Sequence, residues 1–227
     1  MLISCLSTRS VLLILLPFFC FALSCSDDSS PTGTGGGGGG EEPEGIWYVD
    51  IDATGGADGS SWENAFTAVQ DAVDAASDGE QLWVAEGTYT SPNSADPNVP
   101  VIAMKKKVDI YGGFSGIEDK LAQRDYQSNL TILDGEMSAY HVVTGADTAR
   151  LDGFTVTHGN AVGEAQNEYG RGGGMLNYEV SPTVENCIFT GNTARNGGGM
   201  YNYNCSSRIS GCSFNFNYTP KSNSTAD

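Results

Sequence analysis

The sequence predicts an all-β protein that folds as a parallel β-helix, a solenoid, with an α-helix capping its N-terminal end. Three observations predict this fold: an exact internal repeat, short alternating strand patterns within each repeat, and one amphipathic segment ahead of the first strands. A fixed period of roughly 20 to 50 residues is typical of solenoid proteins, whose repeats bury a core only by stacking on their neighbours.

The repeat has a period of 25 residues. Residues 170–194 and 195–219 align without a gap and share ten identities. Their short runs of β-branched and aromatic residues are broken by Gly and Asn and show no helical periodicity, which indicates several short strands per repeat. The clearest matches are the following: Gly172–Met175 with Gly197–Met200, Asn177 with Asn202, Cys187 with Cys212, Phe189 with Phe214, and Asn192 with Asn217.

The repeated triplets show which side chains face the interior. In 187–189 and 212–214 the outer Cys and Phe are kept while the middle residue changes from Ile188 to Ser213. This alternation predicts that the Cys and Phe side chains point inward. Stacked cysteines are close enough for a disulfide, which needs a Cα separation of roughly 4.4 to 6.8 Å, but we favour a pair of buried thiols.

The other repeated residues are predicted to shape the turns. The two Asn pairs are expected to form amide ladders at the bends, where Asn tolerates left-handed backbone. The triple glycines are expected to mark tight corners or close approach of neighbouring backbones.

Earlier coils follow the same pattern less regularly. Residues 151–156 align with 184–189 if about eight residues within 162–169 are an inserted loop. Between Leu82 and Asn217 there is room for about five or six coils. Ahead of them, apolar residues from Trp62 to Ala76 fall on one helical face, with Ser60 or Ser61 as N-cap and Gly79 as the stop signal.

The N-terminal residues predict export and lipidation. Arg9 precedes a short apolar run, a pattern typical of a signal peptide, and the run ends in Ala22–Cys25. That tetrapeptide resembles the lipobox of bacterial lipoproteins, which implies cleavage before Cys25 and attachment of lipid to Cys25. The predicted organisation is therefore a lipoprotein signal peptide (1–24), a lipidated Cys and flexible linker (25–45), an N-terminal strand and capping helix (46–81), a parallel β-helix (82–217) and a polar tail (218–227).

The charge of the chain limits its partners. The formal net charge is −17, and removal of the predicted signal peptide, which carries one Arg and no acid, makes it more negative. Nucleic acid is excluded as a partner by this charge, and acidic polysaccharides are repelled unless calcium bridges the two surfaces. The expected partners are the membrane, through the lipid on Cys25, and a glycan or a surface protein.

Five segments carry a family resemblance: Tyr48–Asp50, Gly55–Trp62, Leu82–Tyr89, Ile110–Phe114 and Thr131–Gly135. They are similar to bacterial right-handed β-helix surface proteins of the pectin-lyase-like superfamily. The Gly-Gly-Gly-Met-Tyr-Asn and Phe-x-x-Asn repeats resemble those of chlamydial polymorphic outer-membrane proteins. This likeness covers residues 46–217 and implies the fold, whereas the superfamily includes lyases, hydrolases and adhesins.

The resemblance implies two kinds of catalytic site, and neither pattern is intact here. A lyase would carry a calcium-binding carboxylate cluster with a basic residue, and a hydrolase would carry clustered aspartates with Gly-His-Gly. His158 lies in Thr-His-Gly, without the first glycine. No catalytic residue is therefore assigned, and His158, Asp152 and Glu185 remain the candidates.

Two sets of carboxylates could bind a cation. Asp152 and Glu185 occupy equivalent repeat positions, so their stacking would raise a pKa or attract a cation, although solvated turn carboxylates are the favoured interpretation. Asp50, Asp52 and Asp58 could bind calcium, but their spacing does not match an EF-hand loop. No cofactor is predicted, and calcium stays open.

Three functional hypotheses follow. The leading one is an outer-membrane, cell-surface lipoprotein that acts as an adhesive or glycan-binding or partner-binding scaffold without catalysis. The alternative is a polysaccharide lyase or glycoside hydrolase that acts on an outer groove of the β-helix. A third interpretation treats the chain as one part of a longer β-helix protein.

Overall fold

The computed structural model describes residues 45–163 and 168–220. The predicted signal peptide, the lipidation of Cys25, the linker up to residue 44, residues 164–167 of the inserted loop and residues 221–227 of the tail lie outside the described residues.

The described residues form seventeen β-strands and one α-helix. The strands are β1 (Ile46–Val49), β2 (Gln81–Ala85), β3 (Gly87–Thr90), β4 (Ile102–Ala103), β5 (Asp109–Phe114), β6 (Thr131–Asp134), β7 (Val143–Thr144), β8 (Arg150–Asp152), β9 (Phe154–Thr157), β10 (Asn160–Ala161), β11 (Met175–Tyr178), β12 (Thr183–Glu185), β13 (Ile188–Thr190), β14 (Thr193–Ala194), β15 (Met200–Tyr203), β16 (Arg208–Ser210) and β17 (Ser213–Asn215). The helix is α1 (Val69–Ala75), and short 3-10 turns lie at Leu121–Gln123 and Glu168–Gly170.

All strand pairs among the described residues are parallel. Sheet A has the order β1, β2, β5, β8, β12, β16, and sheet B has the order β3, β6, β9, β13, β17. Sheet C has the order β4, β7, β11, β15, and β10 pairs with β14. From residue 81 onward, sheets A and B each hold five strands, in agreement with the predicted number of coils. We call one strand from each sheet, taken in chain order, a rung.

The strand registers reproduce the sequence repeat. Met175 pairs with Met200 in sheet C and Phe189 pairs with Phe214 in sheet B, both at the offset of 25 residues. Val184 pairs with Leu151 in sheet A. That larger offset of 33 is the period plus the eight inserted residues, so the predicted alignment of 151–156 with 184–189 is confirmed.

The core is made of columns of apolar side chains, one from each rung. Sheet A contributes Leu82, Ile110, Leu151 and Val184, and all four are fully buried. Complete burial of such a side chain stabilises the fold by about 1.5 to 3 kcal/mol. Sheet B contributes Tyr89, Leu133, Val156 and Phe189, and sheet C contributes Ile102, Val143 and Met175.

The predicted inward direction of the repeated Cys and Phe is confirmed where a further rung covers them. Cys187 and Phe189 are fully buried. Cys212 is only partly buried and Phe214 is 46% exposed, because β17 is the edge strand of sheet B. Cys187 and Cys212 are free thiols.

Both predicted amide ladders are present. Asn177 Nδ2 donates to Asn202 Oδ1 at 2.8 Å, and Asn192 Nδ2 donates to Asn217 Oδ1 at 3.1 Å. The bend position is right for Asn192, which follows β13, but wrong for Asn177. Asn177 lies inside β11 and is completely buried, because it alternates with the outward Leu176.

The triple glycines do both things predicted of them. Gly172 has a φ of +63°, which favours glycine, at a corner of the rung. At Gly173 and Gly174 a Cβ atom would lie 2.4 Å from the Thr193 carbonyl oxygen and 2.3 Å from that of Gly199. Neighbouring rungs therefore approach too closely there for any side chain.

The predicted helix exists but is shorter than its pattern indicated. It begins at Val69 after Ala68, so Ser60 and Ser61 are not N-caps. Phe66, which shares the helical spacing, instead forms a parallel bridge with Val49. The buried Val69, Ala72 and Val73 pack on the core, and α1 lies against β1 and β4, the first strands of sheets A and C.

None of the helices in the described residues is both long and apolar enough to span a membrane.

Candidate functional site

The segment 115–130 lies outside the repeat and is anchored on the outer face of sheet A. Trp83 alternates with the inward Leu82 and Val84, yet it is fully buried within an aromatic cluster against which Leu121 of this segment packs. Its ring stacks on Phe114 with centroids 4.8 Å apart. Trp62 Nε1 donates to the Glu118 carbonyl at 2.8 Å. This second aromatic cluster holds the segment in place.

A buried ion pair fixes the end of the same segment. Arg124 Nη2 lies 2.7 Å from Asp152 Oδ2, and Asp152 is only 4% exposed. Arg124 Nη1 also donates to the carbonyls of Gly112 and Asp152 at 3.1 and 3.2 Å. The guanidinium carbon lies 5.1 Å from the Tyr111 ring and 5.4 Å from the Tyr126 ring, so the pair sets the position of Tyr126.

The anchored segment forms one wall of a groove of about 360 Å³. Tyr126, Gln127 and Leu130 make this wall. The floor is the outer face of sheet B, where Thr155, Ile188 and Ser213 stand in register on three successive rungs. Because rungs are about 4.8 Å apart, the floor extends about 10 Å along the stack.

The groove combines apolar surface with uncharged polar groups. Leu130 and Ile188 are 49% and 42% exposed, so they present apolar surface to the groove. Asn186 lies at the edge of the floor, and its Nδ2 donates to Asp152 Oδ1 at 2.9 Å, which orients the amide. No Asp, Glu, Lys or Arg is among the described residues that line the groove. This lining suits binding of an uncharged ligand better than acid–base chemistry.

Asp152 and Glu185 stack in register, as the sequence predicted, but arginines neutralise both carboxylates. Glu185 pairs with Arg150 and lies 3.8 Å from Arg208, and Ser210 Oγ donates to it at 3.0 Å. The favoured interpretation of solvated turn carboxylates is therefore wrong for Asp152, which is buried. Alignment of the two repeats did not reveal these arginines, because two of them, Arg124 and Arg150, lie outside the exact repeat.

Burial shifts the pKa values of two residues on β5 of sheet A, Asp109 and Tyr111. It raises the pKa of Asp109, although Arg150 Nε lies 3.7 Å away and opposes the shift. It also raises the pKa of Tyr111 to about 12, and the nearby Asp109 carboxylate adds to this shift. Tyr111 therefore stays protonated and donates to Asp109 at 3.2 Å.

His158 lies away from the groove. It follows β9 in a turn with a φ of +57°, and its side chain is half exposed. Its Nδ1 lies 3.0 Å from Asp134 Oδ1 on the preceding rung. The predicted surface turn position is confirmed, whereas the pairing with Asp134 was not foreseen because the intervening loop is irregular.

Two of the three aspartates considered for calcium, Asp50 and Asp58, accept hydrogen bonds within local turns. Asp50 Oδ1 accepts a hydrogen bond from the Asp52 amide at 2.9 Å. Asp58 accepts from the hydroxyl and amide of Ser60, and these hydrogen bonds lower the pKa of Asp58. In 45–163 and 168–220 there is no group of three or more His, Cys, Asp or Glu that could hold a metal ion. In the described residues the three candidate aspartates are therefore not brought together as a metal-binding group.

Comparison of the chain with protein-family models, with curated proteins and with solved structures gives no significant match.

The groove residues Tyr126 and Leu130 were not predicted, and neither was Arg124, which holds Tyr126 in position. The only sequence signal for them is negative: residues 115–130 interrupt the strand pattern and carry no counterpart in the 25-residue repeat. Insertions on one face of a solenoid are often binding loops, so a search of non-repeating segments finds this one.

Proposed function

We propose that this chain is a right-handed parallel β-helix on the cell surface that binds a linear, neutral glycan in the groove beside sheet B. The in-register parallel sheets and the family resemblance support the β-helix. The binding proposal is carried by one observation: an uncharged groove whose floor continues across three rungs.

The shape and chemistry of the groove favour a polymer of neutral sugars. Its floor is a straight column, which suits an extended ligand that runs along the stack. Tyr126 offers an aromatic surface with a polar hydroxyl, and Thr155, Ser213 and Asn186 offer donors and acceptors for sugar hydroxyls. The net charge of −17 opposes acidic polymers.

A glycan array followed by titration calorimetry tests this proposal. We expect the full chain to bind neutral linear oligosaccharides, and we expect Tyr126→Ala to weaken binding at least tenfold, or about 1.4 kcal/mol. Tyr178→Ala is the matched control, because Tyr178 is an exposed tyrosine on sheet C that lines neither the groove nor its wall. An array without neutral ligands, or equal binding by both variants, would contradict the proposal.

We further propose that the protein is held at the outer membrane by lipid on Cys25. The Ala-Leu-Ser-Cys sequence and the polar, Gly-rich linker after it support this. Metabolic labelling with a radioactive fatty acid should mark the wild-type chain and not Cys25→Ala. Radioactive label on the Cys25→Ala variant, or no label on the wild-type chain, would contradict the proposed lipid anchor.

The alternative function, a polysaccharide lyase or hydrolase, has one observation in its favour. Asp134 lies within hydrogen-bond distance of His158, and a carboxylate that orients a histidine is a common part of general-base sites. A panel of polysaccharides with and without calcium tests for activity. Any activity that survives His158→Ala and Asp134→Asn would show that this pair is not the catalytic site.

A further inference from the structure

A second cavity lies on the outer face of sheet C, away from the proposed groove. It has a volume of about 240 Å³ and is lined by Asn98, Tyr140, His141, Thr144, Tyr169 and Leu176. Thr144 and Leu176 are paired neighbours on β7 and β11 and form its base.

Three irregular segments build the walls of this cavity. Tyr169 belongs to the segment whose insertion breaks the 25-residue period, and it is 39% exposed. Its ring lies 5.3 Å from the Tyr140 ring at an angle of 41°. Asn98 comes from the loop before β4, and Tyr140 N–H donates to the Pro97 carbonyl at 2.8 Å, which joins the two walls. The insertion therefore completes a corner of two tyrosines.

The cavity is held in a fixed shape at its base. His141 is only 7% exposed, and its Nδ1 lies 3.0 Å from the Gly172 carbonyl. A carbonyl oxygen only accepts, so Nδ1 donates, and the imidazole ring has a fixed orientation. Leu176 is almost fully buried beneath the opening. A preformed pocket of this kind lowers the entropy that a ligand must lose on binding.

We propose that this cavity is a second binding site, which takes a single neutral pyranose ring. The tilted tyrosine rings present apolar faces to the C–H surface of a sugar, and their phenol groups, the Asn98 amide and the Thr144 hydroxyl surround it with hydrogen-bonding groups.

Size and charge decide between a sugar ring and other ligands. The volume lies below the roughly 300 to 1,000 Å³ of pockets for drug-sized molecules, which fits one ring rather than a chain. The described lining contains no Asp, Glu, Lys or Arg, so no permanently charged side chain there pairs with a phosphate, a carboxylate or an amine. A flat apolar ligand would leave the amide and hydroxyl groups without partners.

Saturation-transfer NMR of the full chain with the methyl glycosides of glucose, galactose and mannose tests the site. We expect binding of at least one glycoside with a Kd on the order of 1 mM. Tyr140→Ala and Tyr169→Ala should each weaken it at least tenfold. Asn98→Ala, which removes an exposed amide and its hydrogen bond to Asp96, should weaken binding and leave the strands intact. Far-UV circular dichroism checks that each variant is folded.

Two control variants separate this site from the groove. Tyr178→Ala changes an exposed tyrosine of the same sheet outside the cavity, and Tyr126→Ala changes the groove, so both should bind the methyl glycosides like wild type. The inference is overturned if no glycoside shows saturation transfer at concentrations well above the expected Kd. It is also overturned if Tyr140→Ala and Tyr169→Ala leave the saturation transfer unchanged. If only the cavity fails this test, oligosaccharide binding that depends on Tyr126 still supports the groove. If the methyl glycosides bind as expected and Tyr126→Ala does not weaken oligosaccharide binding, only the groove is removed.

Discussion

Asp152 shows, at the scale of single residues, how a carboxylate noted as a catalytic candidate is held in a buried ion pair. Its carboxylate accepts hydrogen bonds from Arg124 and Asn186. Arg124 lies over the ring of Tyr126 in the groove wall, and Asn186 lines the groove itself. We predict that Asp152→Asn lowers the free energy of unfolding by about 3 to 5 kcal/mol, because it leaves Arg124 as a buried charge without its partner.

Urea denaturation measures this loss. Asp71→Asn is the control, since Asp71 is an exposed aspartate on α1 and its replacement should change stability by less than about 1 kcal/mol. Equal effects of the two variants would show that the buried ion pair does not stabilise the segment.

The stacked pair Cys187 and Cys212 predicts that the reactivity of the Cys212 thiol depends on pH. The pKa of Cys212 is lowered to about 7 by a hydrogen bond from Cys187, whereas burial raises the pKa of Cys187. Since the folded pKa is the lower one, the Cys212 thiolate adds stability that is complete above the ordinary thiol pKa and is lost as the pH falls through about 7.

Alkylation of Cys212 by iodoacetamide, followed by peptide mass spectrometry, should therefore rise with a midpoint near pH 7. In Cys187→Ala the hydrogen bond is lost, and the midpoint should move to higher pH. The same midpoint in both proteins would disprove the thiol–thiol hydrogen bond.

At the scale of elements, the turn after β13 depends on one buried amide. Asn192 Oδ1 accepts from the Gly159 amide, and Nδ2 donates to the Val156 carbonyl and to Asn217. Asn192→Ala leaves these buried groups without partners, so we predict a loss of about 3 kcal/mol in the free energy of unfolding. Thermal and urea unfolding test it against Asn215→Ala, an exposed position that should be nearly neutral. A small effect at Asn192 would argue against the ladder.

The spacing of the rungs predicts a second effect. A methyl group at Gly174 would lie 2.3 Å from the Gly199 carbonyl oxygen, so Gly174→Ala should destabilise the protein by about 1 to 3 kcal/mol. At Gly56 the nearest atom is 3.4 Å away, and Gly56→Ala should be tolerated. Chemical denaturation measures the free energy of unfolding of both variants. Equal values would contradict the close approach of neighbouring rungs at Gly174.

Sequence reasoning was most successful where elements repeat. Register follows from a period of 25 because stacked parallel strands pair equivalent residues, so Phe189 and Phe214 were placed correctly. The start of α1 was wrong because Trp62 and Phe66 fit a helical face equally well. Their actual partners, Glu118 and Val49, are distant in sequence, and local periodicity carries no information about them.

At the scale of the whole molecule, the repeating strands build the scaffold and the floors of the cavities, and the non-repeating segments build their walls. Segment 115–130 walls the groove, and the insertion that contains Tyr169 completes the second cavity. The sequence showed where these segments lie but not what they pack against. Arg124 and Asp152, for example, are 28 residues apart in the sequence, so no local motif records their contact.

A crystal structure of the full chain with a bound neutral oligosaccharide would show whether the scaffold binds a glycan in the groove along its stack. We expect successive sugar rings over the column of Thr155, Ile188 and Ser213, with Tyr126 against one ring. A sugar chain bound on another face, with this groove unoccupied, would contradict it.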